Sequence, residues 1–123
     1  MKQSYILLVC AAALLSTGCR QSPAQNEGRE GKAALVLDSK AALGREVFLQ
    51  HSRPPCSQCH ILREAGARAR IGSNLDDLKP DIERVRRSVT DGSGLMPPQA
   101  DRLTVEQIEA VAYYVATVAG KTD

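Results

Sequence analysis

Large aromatic side chains are scarce. The 123 residues include no tryptophan, one phenylalanine and three tyrosines. A domain of this size buries little apolar surface without them, and a large flat cofactor would supply the missing core. The scarcity also removes the aromatic-rich basic stripe of nucleic-acid surfaces, so no nucleic-acid partner is expected. A formal net charge of +2 selects no partner either. No apolar run is long enough to span a bilayer as a mature helix. No β pattern and no internal repeat are found, so the fold class expected is all-α, a small helical domain.

The first segment has the layout of a secretory leader. Met1-Lys2 is basic, Tyr5 to Leu15 is apolar, and Ser16-Thr17-Gly18 are small. Leu15-Ser16-Thr17-Gly18-Cys19 resembles the lipobox of bacterial lipoproteins. That resemblance implies removal of residues 1–18, lipidation of Cys19 and a location on the periplasmic or extracytoplasmic side of a bacterial membrane. Ordinary cleavage nearby, leaving Cys19 as a free thiol, is the alternative. Residues 19–38 are polar and aperiodic at their core and read as a flexible tether. The folded domain is assigned to 39–123.

Within it, Asp38 or Ser39 is placed to cap a helix that carries Leu43, Val47 and Phe48 on one face and ends near His51. Pro54-Pro55 cannot continue it. Cys56 to Leu62 includes a helical turn, and Ala65 to Ser73 reads as loop. Asn74 caps a short helix through Leu78. Pro80 suits the first position of another helix, with Ile82, Val85 and Val89 as its buried stripe and Gly92 as its stop. Gly92 to Asp101 is a loop containing Pro97-Pro98. Thr104 and Gln107 form a capping box for the last helix. Val105, Ile108, Val111, Ala112, Val115 and Val118 make its stripe, and Gly120 ends it.

Cys56-Ser57-Gln58-Cys59-His60 is C-x-x-C-H, the c-haem attachment signature. Two thiols separated by two residues on a tight turn reach two vinyl groups on one porphyrin edge. The next residue, His60, then offers its imidazole to the iron. A zinc site is the first rival, but it needs four ligands, and His60 cannot easily share a metal with the adjacent Cys59. A thioredoxin-type dithiol would accompany a βαβ pattern, which is missing. A chance match is the third alternative.

A low-spin haem iron needs a second axial ligand. With Met1 lost, Met96 is the only methionine of the mature chain. It lies in the proline-stiffened Gly92–Pro98 loop. A thioether favours Fe(II), and His/Met ligation raises the potential relative to two imidazoles. The alternatives are that Met96 merely fills a gap, or that His51 is the ligand. His51 reads instead as a surface or haem-edge residue.

At these residues the chain resembles the class I c-type cytochromes over roughly 40–120. Gly44 and Phe48 match the first helix of that family, and Val111 and Tyr114 match its last. The resemblance implies a cytochrome c-like fold around one covalent haem c, held by Cys56 and Cys59 and ligated by His60 and Met96. It also implies that these two helices cross closely. Gly72-Ser73-Asn74-Leu75 is similar to the family's G-P-N-L segment, whose proline carbonyl accepts a hydrogen bond from the proximal histidine. Ser73 occupies the proline position here, and its carbonyl is the expected acceptor. A narrower likeness is to the cytochrome subunits of bacterial sulfite dehydrogenases, through Asn74–Asp81 and Gly94–Pro97.

With both axial positions filled, iron has no open site. Outer-sphere transfer of single electrons is then the expected task, with no catalytic residue and other redox proteins as donor and acceptor. The alternative is a dedicated haem subunit of an oxidoreductase such as a sulfite dehydrogenase. Arg84, Arg86 and Arg87, with Arg63, Arg68 and Arg70, either steer an acidic partner or form a solvated face. An apolar patch around Leu95, Pro97, Pro98 and Ala65–Ala69 would favour the subunit reading.

Overall fold

The computed structural model describes residues 36–121. The expected leader, Cys19 and most of the tether lie outside the described residues. Four α-helices carry the fold: α1 (Ser39–Glu46), α2 (Leu75–Leu78), α3 (Ile82–Asp91) and α4 (Val105–Val118).

Asp38 caps α1, its Oδ1 accepting the Ala41 N–H at 2.8 Å. The helix then widens into a π turn over Val47–His51. Its first two residues, Val47 and Phe48, are both buried. Leu43 is only half-buried and packs at the edge of the same core.

The α1–α4 crossing is set by sterics. A Cβ on Gly44 would lie 2.1 Å from the Ala110 carbonyl oxygen and 2.5 Å from Tyr114 Cβ. Only glycine lets the two backbones approach this closely. One turn on, Phe48 meets Tyr114 edge to face, ring centroids 6.1 Å apart and planes at 64°. The Tyr114 hydroxyl donates to Glu64, whose other oxygen accepts from Arg45 Nε at 3.3 Å. Burial and that carboxylate push the Tyr114 phenol far above its ordinary value. α4 begins with the expected capping box: Gln107 N–H donates to Thr104 Oγ1 at 3.2 Å and Thr104 N–H to Gln107 Oε1 at 2.9 Å. Ile108, Val111, Ala112, Val115 and Val118 are all buried.

Four expectations are corrected. A small antiparallel ladder exists, β1 (Ile61–Leu62) with β2 (Ala67–Arg68). Two residues per strand are too few to leave an alternating pattern in the sequence. Pro80 precedes α3 instead of opening it. Asp81 is the cap, with Oδ1 accepting the Arg84 N–H at 2.7 Å, because a carboxylate satisfies a helix-end donor that proline's ring cannot. Ile82 and Val105, each the first residue of its helix, are exposed; Val85 and Val89, further along α3, are buried. Periodicity assigns a face, but a first turn projects past the core whatever its face.

Asp76 carries a tertiary knot. Its side chain is 1 % exposed. One oxygen accepts from Arg63 N at 2.8 Å and the other from Gly120 N at 2.9 Å. α2 is thereby tied to the strand after the C-x-x-C-H segment and to the end of α4.

Candidate functional site

The C-x-x-C-H segment forms one 3₁₀ turn, Cys56–Gln58. Its backbone bonds run from Cys59 N and His60 N to the Cys56 carbonyl at 3.0 and 2.9 Å. The turn brings both cysteines and the histidine to the wall of one cavity of about 400 Å³, a volume in the range of cofactor pockets. Phe48, Leu75, Val85, Val111 and Val115 line it, so the walls are mostly apolar. Met96 lines the same cavity, from the loop between α3 and α4. Cys56, Cys59, His60 and Met96 are thus brought together on one wall system. His51 is not among them: it is exposed, with Nε2 4.0 Å from Glu46 Oε2.

His60 Nδ1 lies 2.9 Å from the Ser73 carbonyl oxygen. A carbonyl only accepts, so Nδ1 carries the proton and Nε2 keeps its lone pair for a metal. The acceptor is a backbone atom, which is why serine substitutes for proline at this place. Gly72 belongs to the same device. A Cβ there would stand 2.6 Å from His60 Cε1 and 2.9 Å from Nδ1, so the imidazole rests flat against bare backbone.

Three contributors were not read from the sequence. Ser52 is fully buried. Its Oγ accepts the Cys56 N–H at 3.1 Å and lies 3.2 Å from Cys56 Sγ. Burial pushes the Cys56 thiol above its ordinary value, and the Ser52 bond opposes that rise. Gln99 is 3 % exposed and bonds across the fold to Arg53. Asp76 was read as part of a short helix and of the Asn74–Asp81 run, with no role of its own. Single buried polar residues carry no periodic signature, and no spacing rule finds them.

The arginines are not equivalent. Arg86 is held by Glu83 and by both oxygens of Glu109, and Arg63 lies 3.5 Å from Asp76. They form ion pairs within the fold and drop out of the steering alternative. Arg84 remains exposed on the cavity rim. So does an apolar edge: Leu95 is 94 % exposed and Ile71 73 %.

The donor set and the apolar, open-sided cavity fit a c-type haem. Two thiols sit at attachment spacing, and a histidine has its outer nitrogen already occupied. A thioether lies on the same cavity wall. No group of three or more His, Cys, Asp or Glu that would hold a bare metal ion exists among the described residues.

Comparison with known proteins agrees. Residues 39–115 match the family model described as cytochrome c oxidase, cbb3-type, subunit III. The chain is 39 % identical over 85 residues to cytochrome c6 of Gloeothece citriformis (strain PCC 7424), covering 66 % of this chain and 74 % of that protein. It is 32 % identical over 119 residues to the chloroplastic cytochrome c6 of Chlamydomonas reinhardtii, covering 89 % and 66 %. Among solved structures, the c-type cytochrome SorU from Sinorhizobium meliloti is 58 % identical, with a TM-score of 0.64 over 66 % of this chain and 92 % of that one.

Proposed function

This chain belongs to the class I c-type cytochromes, an electron-transfer protein and not an enzyme, and from that premise we propose that it is an extracytoplasmic monohaem carrier of single electrons. The observation that carries the reading is the convergence of Cys56, Cys59, His60 and Met96 on one apolar cavity. When bound, a haem supplies a one-electron iron couple. The chain's own residues do the rest. Cys56 and Cys59 hold the group covalently. The Ser73 carbonyl fixes the proton on His60 Nδ1 and aims Nε2 at the metal. Met96 would offer the iron a soft, neutral thioether, a donor that favours Fe(II). Phe48, Leu75, Val85 and Val111 keep water from the iron, which lowers the local dielectric and the reorganisation on electron transfer.

The test is an optical spectrum of the purified protein with Met96→Ala beside it. A low-spin c-haem spectrum is expected, with the weak methionine-to-iron band absent in the variant. Colour that extracts from the polypeptide in acid and organic solvent overturns the covalent haem. A band retained in Met96→Ala overturns the axial assignment.

Lipidation at Cys19 after a leader over 1–18, with 19–38 as tether, would hold the domain at an outer membrane surface. Mass spectrometry of the mature chain checks it, and an unmodified Cys19 rules it out. No helix among the described residues is long and apolar enough to cross a membrane.

The second reading, a dedicated haem subunit of an oxidoreductase, is favoured by the exposed Leu95 and Ile71 on the cavity rim and by the likeness of Asn74–Asp81 to sulfite dehydrogenase cytochrome subunits. Stable co-purification with a molybdenum protein selects it over a diffusing or tethered carrier.

A further inference from the structure

We propose that Gln99 is a positioning residue for Met96, its side-chain amide clasping the methionine loop to the chain just before the attachment cysteines. The proposal rests on the reading of Met96 as an axial ligand. Gln99 Oε1 accepts the Arg53 N–H at 2.9 Å, and its Nε2 donates to the Arg53 carbonyl at 3.0 Å. The amide therefore matches both polar groups of residue 53, as one strand matches another. Nε2 also lies 3.3 Å from the Pro97 carbonyl, inside the methionine loop itself.

The backbone of Gln99 is equally fixed. Its N–H donates to the Val89 carbonyl of α3 at 2.8 Å, and its carbonyl accepts from Arg102 N and Leu103 N, both at 2.9 Å. One residue thus joins α3, the approach to α4, and a segment 46 positions earlier in the chain. Met96 lies three residues before Gln99, and Cys56 lies three residues after Arg53. Three residues of extended chain span only about 10 Å. The clasp therefore limits how far the thioether travels from the face that the two cysteines define.

The loop has one more internal restraint. Ser93 and Met96 exchange backbone hydrogen bonds at 3.0 and 2.9 Å around Gly94-Leu95. That turn shapes the loop but does not tie it to the attachment side. Among the described residues, the hydrogen bonds between the loop and the attachment side run through the Gln99 amide, and a carboxamide both donates and accepts there. Glutamate of the same size keeps the acceptor and loses both donations.

The experiment titrates the ferric holoprotein with imidazole, a competitor for the sixth position, and follows loss of the methionine-to-iron band. Wild type, Gln99→Leu, Gln99→Glu and Val118→Ala are compared, each also by thermal unfolding. Gln99→Glu loses the two donated hydrogen bonds and Gln99→Leu all three, which raises the open-loop population, and with it the imidazole affinity, by about tenfold or more. Both Gln99 variants are expected to show that gain. Val118→Ala, a buried change on α4 away from the cavity, is expected to lower Tm with imidazole affinity unchanged. Wild-type affinity in the Gln99 variants overturns the proposal, as does an equal gain in Val118→Ala. If Gln99→Leu does not accumulate, Gln99→Glu carries the same test. Met96→Ala separates the two readings. If it keeps the band, the ligation reading falls and takes the clasp with it. If it loses the band while the Gln99 variants behave as wild type, the clasp alone falls.

Discussion

The Nδ1 of His60 faces the backbone carbonyl of Ser73 at 2.9 Å, thirteen residues downstream. The ring is held between that oxygen and the bare Cα of Gly72. Two adjacent residues therefore set both the tautomer and the plane of the imidazole.

Gly72→Ala places a methyl group 2.6 Å from His60 Cε1, and the ring has to tilt. Electron transfer from a small inorganic reductant is expected to fall about tenfold, the lower end of what loss of an outer-shell partner costs. Ser73→Ala is the control. Its acceptor is main chain, so its spectrum and reduction potential stay as wild type.

Ser52→Ala leaves the half-buried Cys56 N–H without its acceptor. An unpaired donor partly sheltered from water costs about 1 kcal/mol, the low end of the range for a fully buried one. A lower denaturation midpoint in guanidinium, with an unchanged slope, is the expected outcome. Because the same hydroxyl lies beside Cys56 Sγ, a lower fraction of chains carrying covalent haem is expected as well, read by mass spectrometry.

Gly44→Ala forces a Cβ to 2.1 Å from the Ala110 carbonyl. The atoms met are Ala110 backbone and Tyr114 Cβ, neither of which moves without α4 itself. Overpacking of this kind costs about 3 kcal/mol, and Tm should fall by about 10 °C or more. Thermal unfolding by circular dichroism checks it. A neutral result would mean that α1 and α4 do not cross at this point.

Asp38 links the start of α1 to α4, accepting from Ala41 N at 2.8 Å and from the Tyr113 hydroxyl at 2.8 Å. The Ala41 bond first, then the Tyr113 bond, hold its carboxyl below the ordinary 3.8. A group depressed on folding stabilises fully above its unfolded value and loses that stabilisation as pH falls through its folded value. Asp38→Ala is thus expected to be less stable than wild type at neutral pH. The difference should close below pH 3.8, as seen in Tm measured against pH.

Arg84 and Arg86 are two positions apart on α3 and should behave oppositely. Arg84 is exposed on the cavity rim, whereas Arg86 is neutralised by Glu83 and Glu109. With an acidic redox partner, Arg84→Gln is expected to lower the bimolecular rate at low salt and flatten its ionic-strength dependence. Arg86→Gln should leave the rate alone and lower Tm. Stopped-flow rates over a salt series distinguish them.

Local chemistry is what the sequence determined by itself. The spacing of Cys56, Cys59 and His60 is short enough for one turn to fix their geometry. Helix α4 was legible because its capping box and its apolar repeat coincide. Met96 stood out as a candidate ligand because, Met1 aside, the sequence holds no other thioether. Beyond the His60–Ser73 bond and the α1–α4 crossing, the contacts that join distant segments were decided by tertiary structure alone. It exposed Ile82 and Val105, because a helix end outruns the core it packs on. It paired Arg86 with Glu109 across two helices. It set Gln99 against Arg53, and Asp76 against Arg63 and Gly120. Such contacts depend on which atoms meet after the chain has folded back on itself. A single buried polar side chain leaves no periodicity and no spacing along the sequence by which to find it.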